Sequence, residues 1–118
     1  KNETMTTTEQ IIAVATGLGW QVSTTKHENS VVLDFQQYTP KGQDFNVSVE
    51  MKDGDFDGFL CGLENFYEGF DPDYEAYLWI GNDGHGKNGA PYYIKDIVTD
   101  MEEAEKMIET LYETLKKQ

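Results

Sequence analysis

Arginine is absent from the 118-residue chain, and nine lysines stand against 22 acidic residues, for a formal net charge of −13. A surface so short of cations cannot grip a phosphate backbone, which needs clustered Lys and Arg, so direct nucleic-acid binding is excluded. A single cysteine, Cys61, excludes an internal disulfide and supplies no zinc cluster. No run of about 18 apolar residues occurs, so no stretch reads as a membrane span. The motifs G-x-S-x-G, H-E-x-x-H and C-x-x-C are missing, and the two histidines, His27 and His85, fall in separate loops. The chain therefore lacks a recognisable catalytic assembly and is read as a non-enzyme.

What is present suffices for a core. Hydrophobic residues make up 38% of the chain and aromatics 13%, enough for one domain over residues 1–118. Residues 1–5 read as a loose leader. The start at Lys1 rather than methionine points to an absent upstream segment, so a removed signal peptide is not legible. Cys61, among Phe59, Leu60 and Leu63, reads as a small buried hydrophobe, which points to the cytoplasm.

Thr6 with Glu9 forms a capping box, and Ile11, Val14, Ala15 and Leu18 follow at helical spacing, predicting a helix over 8–18 that Gly17 and Gly19 end. From Trp20 the period becomes two. Trp20, Val22 and Thr24 mark a first strand, and residues 31–38 a second. Pro40 and Gly42 then place a turn, and Phe45, Val47, Val49 and Met51 alternate with polar residues in a third strand. Phe59, Leu63, Phe66 and Phe70 predict a helix over 57–69. Residues 74–80 are apolar on both faces apart from Glu75 and read as a short fourth strand. A glycine-rich loop follows over 81–91, with a helical turn at 92–98. Thr99 with Glu102 offers a second capping box, opening a final helix with Met101, Ala104, Ile108, Leu111 and Leu115 on its core side. The expected fold is α+β, an antiparallel sheet of about four strands with helices on one face, in the order α-β-β-β-α-β-α. Its first half follows the order of double-stranded-RNA-binding domains, but the acidic second helix opposes that function.

Three constellations could carry chemistry. Asp53, Asp55, Asp57, Gly58 and Glu64 satisfy the EF-hand pattern D-x-D-x-D-G-x5-E and could wrap Ca²⁺ in oxygen. The strand expected over 45–51 stands where an EF-hand needs its entering helix, so the three aspartates read first as acids capping the second helix, with Glu64 on its surface, and second as a Ca²⁺ site. Residues Gly81 to Asn88 match a P-loop short of its final Ser or Thr, with Gly89 and Pro91 opposing a helix there. The same loop places His85 and Lys87 beside Trp79, Tyr92 and Tyr93, a mixture suited to a protein contact, or else to a plain connection. Third is the charge field: eleven acids and one lysine, Lys52, lie between Asp44 and Asp83, and the last helix adds six more acids. Solubility alone accounts for such a surface, and so does docking on a basic partner, including by imitation of nucleic acid.

Phe35 to Phe45, Tyr67 to Asp73, the Trp79-Ile80 pair, the loop Gly84 to Pro91 and the acidic last helix together resemble a group of small acidic bacterial proteins. Their genes are often carried on phages and other mobile elements, and the group has no assigned activity. In that group the stretch corresponding to 53–66 is an ordinary amphipathic helix start. The resemblance implies an inhibitor of host nucleases or restriction enzymes, by analogy with acidic DNA mimics of other families. The expectation is thus a cytoplasmic, non-enzymatic accessory protein contacting a basic protein through Asp71, Asp73, Glu75, Trp79, His85, Lys87 and Tyr92. The alternative is a Ca²⁺ site at Asp53, Asp55, Asp57 and Glu64, and the third reading is an enzyme acting through His85 and Lys87.

Overall fold

A computed structural model describes residues 6–118; the expected leader over 1–5 lies outside the described residues. The first helix, α1, spans Thr7–Gly17 and begins at the expected capping box: Glu9 N donates to Thr6 Oγ1 at 3.1 Å, and Thr6 N donates to Glu9 Oε1 at 2.9 Å. It ends in a Schellman motif, with Gly19 N donating to Thr16 O and Trp20 N to Ala15 O, each at 3.0 Å. Gly19 has φ of +97°, which explains a glycine there.

Three strands follow, β1 (Gln21–Lys26), β2 (Ser30–Tyr38) and β3 (Asp44–Lys52), paired antiparallel in the order β1-β2-β3. Phe35 lies opposite Val22 and Val47, and Leu33 opposite Thr24 and Val49, so one face gathers the apolar side chains. Phe45, Val47, Val49 and Met51 are buried while the residues between them are exposed, the alternation that one covered face demands.

Helix α2 spans Phe56–Gly69 with Asp55 as its N-cap, the carboxylate accepting from Gly58 N at 3.0 Å. It buries Phe59 and Leu63 against the sheet. A Cβ on Gly62 would stand 3.2 Å from Val49 Cγ1, so this glycine lets α2 approach β3. Cys61 does not face the core as expected. It is exposed, because the buried stripe runs through 59, 63 and 70 and residue 61 falls on the opposite side.

The expected fourth strand is a helix, α3 (Pro72–Tyr77), so the described sheet has three strands. Asp71 caps it by accepting from Asp73 N at 3.0 Å, Pro72 sits at the first helical position, and Asp73 and Glu75 lie in the first turn. Each of these is a helix-start signal that outweighs the local apolar run. The last helix, α4, spans Ile94–Lys116; its cap is Tyr93, six residues before the expected Thr99, so the helical turn expected over 92–98 is continuous with it. Thr99 caps nothing; its Oγ1 donates to Lys95 O at 3.0 Å within the helix. Ile97, Met101, Ala104, Ile108, Leu111 and Leu115 form its buried stripe. The architecture is α+β, with α1, α2 and α4 sharing a core with the apolar face of the sheet. No helix among the described residues is long and apolar enough to cross a membrane.

Candidate functional site

The turn between β2 and β3 is fastened to α4 by a buried carboxylate. Asp100 is completely buried; its Oδ1 accepts from Lys41 N at 3.0 Å, and its Oδ2 accepts a short hydrogen bond from Thr39 Oγ1. Thr39 Oγ1 in turn accepts from Gln43 N at 2.9 Å. With its buried carboxamide nitrogen toward Asp100, Gln43 donates to Oδ2 at 2.9 Å and accepts from Trp79 Nε1 at 3.2 Å. A buried charge persists only when its lone pairs are satisfied, and three donors from one turn do that here. Sequence reasoning missed this group, although an acid on the apolar stripe between Ile97 and Ala104 was a signal.

Trp79 is thereby turned inward. It was expected to face a partner; it is half-buried, packs against the core, and commits its indole N–H to Gln43. It anchors a lobe made of α3 and the loop before α4. Ile80 bridges Gly86, Gly81 N donates to His85 O at 2.7 Å, and Lys87 N donates to Trp79 O at 2.7 Å. Gly86 N donates to Tyr92 O at 3.0 Å, and a Cβ on Gly86 would lie 1.8 Å from Pro91 O, so only glycine fits. The His85 and Tyr92 rings stack with centroids 4.0 Å apart and 12° between planes, and Tyr93 meets Tyr92 edge-on at 5.0 Å. Lys87 is exposed on the same loop.

Asp71, Asp73 and Glu75 occupy the cap and first turn of α3. Burial, and then the Asp71 charge, raise the Glu75 carboxyl above its ordinary value near 4.5. Sequence reasoning missed the exposed Tyr74, Tyr77 and Leu78, because a run apolar on both faces resembled a buried strand; Tyr93, named beside Tyr92 from the sequence, is exposed too, with Ile94 next to it.

A second acidic region lies along α2 and α4. Burial raises the Tyr67 phenol, and after it the charge and hydrogen bond of Glu109 and the charges of Glu105 and Glu113. Burial and Glu64 raise Tyr112, against the opposing charge of Lys116, whose Nζ lies 5.6 Å from the ring centroid. Three acids spaced four apart repel one another along α4. Among the described residues the one ion pair is Lys106 with Glu103, at 3.3 Å.

The EF-hand residues sit in a different setting. β3 stands in place of an entering helix, Asp53 adopts φ of +51° in a tight turn, Asp55 caps α2, and Glu64 lies beside Tyr112. Among the described residues no three His, Cys, Asp or Glu side chains converge as a metal site. The P-loop-like stretch follows α3 rather than the expected strand, and no helix begins at Lys87. The amides of Gly81, Gly84, His85, Gly86 and Lys87 are spent internally, His85 N on Asp83 Oδ1 at 3.0 Å, so these five are not turned to a phosphate. No family model, curated protein or solved structure matches the chain.

Proposed function

We propose that the chain is a non-enzymatic accessory protein that binds a basic protein through its acidic surface. One observation carries the reading: along α3, α2 and α4 the carboxylates crowd one another and nearby phenols, while those three helices carry only Lys95, Lys106 and Lys116 as cations. Such charge destabilises the free protein and is relieved when a basic partner covers it, which favours fast, salt-sensitive association. The resemblance to proteins of phages and mobile elements supports a bacterial setting in which the partner is a nucleic-acid enzyme and the acids stand in for phosphates. A cytoplasmic setting belongs to this reading because a chain with one cysteine has no disulfide framework of the kind that staples small secreted domains.

The test is a titration with a labelled all-lysine peptide at rising salt. Saturable binding that weakens steeply with salt is expected. Absence of binding at low salt, or affinity indifferent to salt, would overturn the proposal.

A further inference from the structure

We infer that the lobe of residues 71–94 is the docking face for an arginine-bearing segment of a basic protein, with its exposed tyrosines receiving guanidinium planes and its carboxylates their charge. This rests on the acidic-surface reading and names the chemistry of the partner. Four of the chain's seven tyrosines, Tyr74, Tyr77, Tyr92 and Tyr93, lie here, each more than half exposed, joined by Leu78 and Ile94. Scattered apolar side chains are ordinary on a surface; this concentration marks an interaction site. Tyrosine suits one because its ring offers contact area while its hydroxyl stays wet.

The charge around these rings decides between occupants. Asp71, Asp73, Glu75, Asp83 and Asp96 stand against Lys87 and Lys95, and none of the seven is in an ion pair among the described residues. A second copy would bring the same acids and be repelled, as would nucleic acid. Lysine would satisfy the charge alone, because its compact ammonium holds its water strongly. Arginine's planar, weakly hydrated fork satisfies both features, stacking on tyrosine while bonding carboxylates in pairs. The His85–Tyr92 stack and the Tyr93 edge contact hold two of the rings before binding, which lowers the ordering cost.

All-arginine and all-lysine peptides of equal length, titrated into the full chain at one salt concentration, test the inference. Two variants accompany the wild type: Tyr74→Ala/Tyr77→Ala on α3, and Tyr92→Ala/Tyr93→Ala on the loop, each checked for an unchanged urea midpoint. The arginine peptide should bind about fivefold or more tightly than the lysine peptide, and at least one pair substitution should abolish that preference. Equal affinity for the two peptides, or a preference that survives both substitutions, overturns the inference while leaving the acidic-surface reading intact. If neither peptide binds, both fall. A variant with a lowered urea midpoint is replaced by its Tyr→Leu counterpart, which keeps bulk but lacks the aromatic face.

Discussion

Asp100→Ala should cost far more stability than any change on the acidic surface. The carboxylate is wholly buried and accepts from Thr39 Oγ1, from Lys41 N and from the Gln43 carboxamide. Removing it strands the buried Thr39 hydroxyl and Gln43 carboxamide, at about 1–3 kcal/mol each, and breaks a charged network whose loss typically costs about 3–5 kcal/mol. Against a total near 5–15 kcal/mol, that is about a fifth or more of the fold's stability. Asp100→Asn keeps one acceptor but turns an amide N–H₂ toward a donor, so about 1–3 kcal/mol is expected. Urea denaturation reads both. With a slope of about 1–3 kcal/mol per M, the alanine midpoint should fall by at least about 1 M, and the asparagine variant should lie between it and wild type. The Trp79 indole N–H resonance should shift in each, since Gln43 links it to Asp100. An alanine midpoint within about 0.3 M of wild type would refute the reasoning.

Glu75→Gln should stabilise the protein at neutral pH. The native carboxyl titrates above its ordinary value, so the native state binds the proton more tightly than the unfolded chain does; stability is full below about 4.5 and declines as pH rises through the native value. The gain from the substitution should therefore appear at pH 7 and vanish in acid, as urea midpoints at the two pH values will show. Gly86→Ala should cost about 1–3 kcal/mol and weaken the His85–Tyr92 stack, because the new methyl meets Pro91 O; ring-current shifts on His85 measure this directly. Asp55→Ala should cost about 0.5–2 kcal/mol through loss of the α2 cap, with a lowered urea midpoint and no change in response to Ca²⁺.

Features set by one residue and its immediate neighbours were legible in the sequence. The Thr6–Glu9 box, the Gly19 stop and the alternation from Phe45 to Met51 each act over a few positions, and all three form. Misreadings arose where neighbours in space, rather than in sequence, decide which way a residue faces. Tyr74 and Tyr77 look like core in a string of letters, yet they project from α3 while Ala76 alone is buried, so a mostly exposed helix passed for a strand. Thr99 and Glu102 had the pattern of a cap, but the apolar stripe continues back to Ile97, and burying that residue extends the helix past them. Trp79 was placed at the surface because its partner, Gln43, lies 36 positions away, and no local pattern reports such pairing. The acidic character of the site was plain from composition, whereas its concentration along α3 and between α2 and α4 needed the fold.

Neutralising the lobe without disturbing its helix tests the central claim most directly. In Asp71→Asn/Asp73→Asn/Glu75→Gln the asparagine still caps α3, so charge changes and structure does not. Its affinity for the all-arginine peptide, followed across rising salt, should fall well below wild type, with a shallower salt dependence. An affinity and salt dependence equal to wild type would contradict the claim that negative charge on this lobe does the binding.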